Sequence, residues 1–139
     1  MARIGNGRSA VVAPSGLSPQ AVSFLGRASS LLSQARVAAP ADRLDLSYQA
    51  ALRVAGAVLA ANPGRRRKED HSAWARVRRH APEYSGWAAR FEAFSRQWED
   101  VRLGLVRGVD ELEARRVQAM AADFLAEVEA DFGMLSDVA

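Results

Sequence analysis

Residues 83–105 read EYSGWAARFEAFSRQWEDVRLGL, and their spacing decides the fold class. Tyr84, Trp87, Phe91, Phe94, Trp98, Val101 and Leu105 recur at alternating steps of three and four. Such steps put all seven on one stripe of a helix, whereas a strand would scatter them over both faces. The stretch predicts a helix over about 83–103, with Pro82 in its first turn and Gly104 beyond its end. The aromatic seam reads first as bundle core. Trp87, Phe91, Phe94 and Trp98 are also a candidate homodimer seam, because aromatic anchors are enriched at interfaces.

The flanking sequence repeats the helical period. Ser18-Pro19 is a helix start, with serine as cap and proline at the first helical position. The helix that follows runs to about Ala38, with Val22, Leu25, Ala28, Leu32 and Ala35 on its apolar face. A second helix, from near Pro40 to about Ala61, carries Leu44, Tyr48, Leu52, Ala55 and Leu59, widened by Ala51 and Val58. So wide an apolar face belongs at the centre of a bundle. Asn62-Pro63-Gly64 stops it. Asp70 or Ser72 can cap a short third helix to about Ala81, with Trp74 and Val77 inward and Arg76, Arg79 and His80 outward. After Gly108, Asp110 caps the last helix, with Val117, Met120, Phe124, Val128, Phe132 and Leu135 as its core face. No strand alternation, hairpin turn or internal repeat occurs. The expected fold is an all-α bundle of four to five helices, a single domain over residues 17–135 behind a flexible tail at 1–16.

The totals narrow the functional classes. Within 139 residues there is no cysteine, which removes disulfides, thiolate nucleophiles and zinc–thiolate sites and suits a reducing, cytoplasmic setting. Two histidines are too few for a histidine-based metal centre, so neither metal nor cofactor is expected. No apolar run approaches a membrane span, and the start lacks the long apolar segment of a secretory signal. No phosphate-cradling glycine loop, serine elbow or facing carboxylate pair is present.

Charge gathers in one place. Residues 62–80, NPGRRRKEDHSAWARVRRH, hold seven basic side chains against two acids, a local +5 in a chain whose net charge is +3. Arg65, Arg66, Arg67, Lys68, Arg76, Arg79 and His80 are the candidate contacts to RNA, DNA or a protein partner. The guanidinium fork suits phosphate, although solvated charge beside a helix C-terminus would look the same. The aromatics are not interleaved with these arginines, which argues against a stacking platform for single strands. His71 and His80 are the only imidazoles available for acid–base work.

The run SYQAALRVAGAVLAAN, then the basic loop, then SAWARVRRHAPEYSGWAARF and VDELEARRVQAMAADFLAEVE, resembles a small actinobacterial branch of the HEPN superfamily. The similarity spans about Leu17 to Glu129. It implies a bundle with four core helices, often dimeric. Many members are metal-independent RNases in which an R-x4-6-H motif works across the dimer; others lack the motif and serve as binding or assembly modules. Arg66-x4-His71 and Arg65-x5-His71 meet the bare spacing, which makes Arg66 and His71 the candidate catalytic pair. Two departures argue against it. The residue after the arginine is another arginine, where the family usually has Asn, Asp or His, and the motif lies before the third helix and far from the last. The resemblance therefore implies a non-catalytic module, accessory to DNA repair or nucleic-acid metabolism; the alternatives are an RNase or a protein-only adaptor.

Overall fold

The computed structural model describes residues 17–65, 67–68, 70–105 and 108–134, and its regular elements are all helical. The helices are α1 (Pro19–Ala35), α2 (Pro40–Ala61), α3 (Ala73–His80), α4 (Ser85–Glu92), α5 (Ser95–Arg102) and α6 (Glu111–Asp131), with a 3-10 turn at Pro82–Tyr84. The expected tail at 1–16 and the expected core residue Leu135 lie outside the described residues.

The central element is α2, against which α1, α3, α5 and α6 all pack. Its 22 residues bury Leu44, Ser47, Tyr48, Ala50, Ala51, Val54, Ala55, Ala57 and Val58. Alanines on so much of the circumference let neighbouring backbones come close. The antiparallel partner α1 answers with Ala21, Leu25, Ala28, Leu32 and Ala35. Val22, expected inward, is 43% exposed, because Ala21 takes the position against α2. Gly56 accepts the ring of Phe24: a Cβ there would stand 2.8 Å from Cε1. α1 ends at Ala35, three residues earlier than expected. The Arg43 guanidinium closes that end, donating to the carbonyls of Ala35 (3.0 Å) and Arg36 (3.3 Å).

The aromatic stretch departs from expectation in one respect. It is not one helix but α4 and α5, separated by a turn at Ala93–Phe94. The Phe94 N–H donates to the carbonyl of Phe91, three residues back, so the turn tightens. That tightening tucks Phe94 inward and lets Ser95 Oγ meet the Tyr48 hydroxyl at 2.7 Å. The seam faces the chain's own core: Phe91 is 0% exposed and Phe94 9%, so neither is available as the dimer seam that the spacing suggested. Trp87 and Trp98 are half-buried at its edges, their indole N–H groups donating to Glu127 (3.0 Å) and Asp45 (2.7 Å). Leu105, the last member of the seam, follows Gly104 (φ +72°) and points to solvent.

α6 completes the bundle with Ala114, Val117, Ala121, Phe124, Leu125 and Val128. Tyr84 donates to Asp131 (2.7 Å) and ties the turn after α3 to the end of α6. Burial, reinforced by that carboxylate, holds its phenol well above the ordinary range. No described helix is long and apolar enough to cross a membrane.

Candidate anion-binding loop

The basic segment joins the end of α2 to α3. Asn62 closes α2 by donating through Nδ2 to the carbonyl of Val58 (2.8 Å). Gly64 then passes directly beneath His80, the last residue of α3. A Cβ at position 64 would stand 2.3 Å from the imidazole Cε1 and 2.4 Å from Nδ1, so any larger residue would have to push the ring aside. At the other end of the loop Ser72 caps α3, its hydroxyl accepting from the amide of Ala75 (3.1 Å).

Asp70, which the sequence offered as the other cap, does something else. Its Oδ2 accepts from the amide of Arg67 (2.7 Å), while its own amide donates to the carbonyl of Arg67 (3.0 Å). These two bonds close a local turn of the kind that aspartate side chains stabilise. Its Oδ1 accepts from Nη2 of Arg79, on the last turn of α3. The Asp70 side chain is 2% exposed and that of Arg79 26%. Arg79 and then the Arg67 amide hold the Asp70 carboxyl below its usual range, against the opposing effect of burial.

The loop is therefore clamped twice onto α3, by Asp70 on Arg79 and by Gly64 under His80. The clamp sorts the candidate contacts. Arg65, Arg67 and Lys68 are exposed, Arg76 is half-exposed, and among the described residues none of the four pairs with a carboxylate. Arg78 bridges to Glu92 on α4 (2.6 Å). Arg79 and His80, expected on an outer face, turn partly inward because the returning loop covers them. His71 is exposed, and no hydrogen bond among the described residues orients either imidazole. Arg66, the other half of the candidate catalytic pair, lies outside the described residues. Among the described residues no three His, Asp or Glu side chains gather as metal ligands.

Sequence inspection missed Asp70 and Gly64 as organisers of this loop. The available signal was local: an aspartate three residues after Arg67, placed to bond back to its amide.

A family model described as SAV_6107-like HEPN matches residues 34–129, from the last turn of α1 to near the end of α6, with the loop inside the match. Searches of curated proteins and of solved structures give no match.

Proposed function

Because the chain belongs to the SAV_6107-like HEPN family, we propose that it is a non-catalytic binding module of that family, which takes the phosphate backbone of a nucleic acid on the loop between α2 and α3. The observation that carries this reading is the clamp. A buried aspartate and a glycine fix the loop, and three cations project from it with no carboxylate partner among the described residues. Preset cations lose less entropy on binding phosphate than a free loop would. Charge of this kind contacts backbone and not base edges, so affinity with little sequence preference is expected. DNA repair is the setting that the family resemblance suggests.

Catalysis has less support. A general base must be held within reach of the proton it takes, and His71 is exposed with no orienting bond among the described residues.

Titrating labelled duplex DNA and single-stranded RNA against salt tests the reading. Each phosphate neutralised contributes a slope of roughly −0.9 in log K against log salt for duplex DNA. The triple substitution Arg65→Ala, Arg67→Ala, Lys68→Ala should flatten the slope by about 3 units and weaken binding uniformly across sequences. No binding to either nucleic acid at low salt would leave a protein-only adaptor. Metal-independent RNA cleavage that disappears in His71→Ala would establish the RNase instead.

A further inference from the structure

The loop cations that have no carboxylate partner among the described residues form a small patch with a sharp border. Arg65, Arg67 and Lys68 are exposed on the loop. Arg76 stands one turn before Arg79 and His80, on the face of α3 where the loop is clamped. Arg78 and Arg79 are already paired, with Glu92 and Asp70. Past the end of α3 the charge changes sign. Glu83 is exposed in the next turn, Tyr84 holds Asp131 beside it (2.7 Å), and Trp87 holds Glu127 (3.0 Å). A phosphate chain leaving the patch on that side meets three carboxylates.

The patch offers no ring on which a base can stack. None of the chain's three tryptophans, two tyrosines and five phenylalanines is exposed. Trp74, at the start of α3, and Tyr84, just past its end, are buried in the core. The half-buried Trp87 and Trp98 belong to α4 and α5, and an arginine already lies over each: Arg90 at 4.2 Å and Arg102 at 4.8 Å. Binding at the loop therefore draws on phosphate contacts alone. Proteins that hold single strands combine such contacts with stacked bases, each adding about fivefold or more in affinity.

We propose that the ligand of the loop is a double-stranded nucleic acid, held by Arg65, Arg67, Lys68 and Arg76 through its two backbones. The inference rests on the reading of the loop as a phosphate contact and adds the form of the ligand. Charge density favours the duplex. It carries one phosphate per roughly 1.7 Å of axis, both strands counted, so a compact patch meets more charge than one strand laid across it supplies. Each neutralised phosphate also releases more counterion from a duplex, roughly 0.9 against 0.7. Order favours it too. The clamp fixes the cations in advance, and a duplex presents its phosphates equally fixed, whereas a single strand must first be ordered over the patch.

Fluorescence anisotropy on the full chain tests it, with one labelled oligonucleotide of mixed sequence, alone and annealed to its complement, as DNA and as RNA. Whichever chemistry binds, its duplex should be held about tenfold or more tightly than its single strand at equal salt. For duplex DNA, log K should fall against log salt with a slope of about −3.6, the value for four phosphates. Arg76→Ala should bring that slope to about −2.7, with an unchanged helical circular-dichroism spectrum. A single strand bound as tightly as its duplex overturns the inference and leaves the phosphate-binding loop standing. A slope that Arg76→Ala does not change overturns the four-cation contact. No binding of any form at low salt removes the loop reading itself, and this inference with it.

Discussion

Trp74→Ala is expected to cost about 3–5 kcal/mol of folding stability, the usual range for emptying a large aromatic site. In a domain of this size that lowers the melting temperature by roughly 10 °C or more. Trp74 is 1% exposed, stacked on Phe91 at 5.2 Å and edged by Tyr48 (6.2 Å) and Phe124 (6.3 Å). No neighbouring side chain is free to fill the space, because each already packs on another ring. The indole also donates to the Tyr48 hydroxyl (2.8 Å), which in turn shares a proton with Ser95 (2.7 Å). Trp74→Phe separates these contributions. It keeps most of the ring volume and removes the donor, so its cost should be nearer 1–2 kcal/mol, the price of an unmet buried hydrogen bond plus a small void. Urea denaturation of the three proteins gives both differences directly. An alanine variant within 1 kcal/mol of the parent would mean that α3 closes down on the gap, and the packing described for the aromatic centre would be wrong. Trp74 lies at the second position of α3, two residues after the Ser72 cap, so the same variant should loosen the basic loop.

The seam that contains Phe91 and Phe94 was legible from spacing alone, and so was the central place of α2. A period of 3.6 states which residues point one way along a helix. It does not state where the chain tightens by one bond. The break at Phe94 brings Ser95 to Tyr48, a residue 47 positions away, and no local pattern encodes that pairing. Helix phase fails for a similar reason: choosing Val22 over Ala21 as the inward residue follows hydrophobicity, while the close approach of α1 to α2 favours the smaller side chain. At the candidate site the run of cations is visible as composition. The clamp is not, because Asp70 with Arg79 and Gly64 with His80 are tertiary pairings. Leu105, just beyond Gly104, looked like the end of a core stripe. The positive φ of that glycine ends the stripe and turns Leu105 outward.

Asp70→Asn should release the loop without unfolding the bundle. An asparagine side chain can still accept from the Arg67 amide, but it offers Arg79 no charge. Arg79 would then stand partly buried beside a neutral group. Trypsin is the direct probe, since Arg65, Arg67 and Lys68 are exposed in the clamped state. Cleavage mapped to this loop should speed up at least severalfold, because opening before cutting carries straight into the rate. Nucleic-acid affinity should fall severalfold while the salt slope stays unchanged, as the cations remain but must be ordered on binding. Arg79→Met tests the other half of the pair and should give the larger effect, since it strands a carboxylate that is 2% exposed. The pH dependence fixes the assignment. The folded carboxyl sits below its ordinary value of 3.8, so the unfolded chain binds its proton first as pH falls. The clamp is therefore fully present above that value and is lost as pH drops through the lower, folded one. The difference in melting temperature between the parent and Asp70→Asn should be constant from neutral pH down to about 5 and shrink only below 3.8, where the parent carboxyl becomes neutral too.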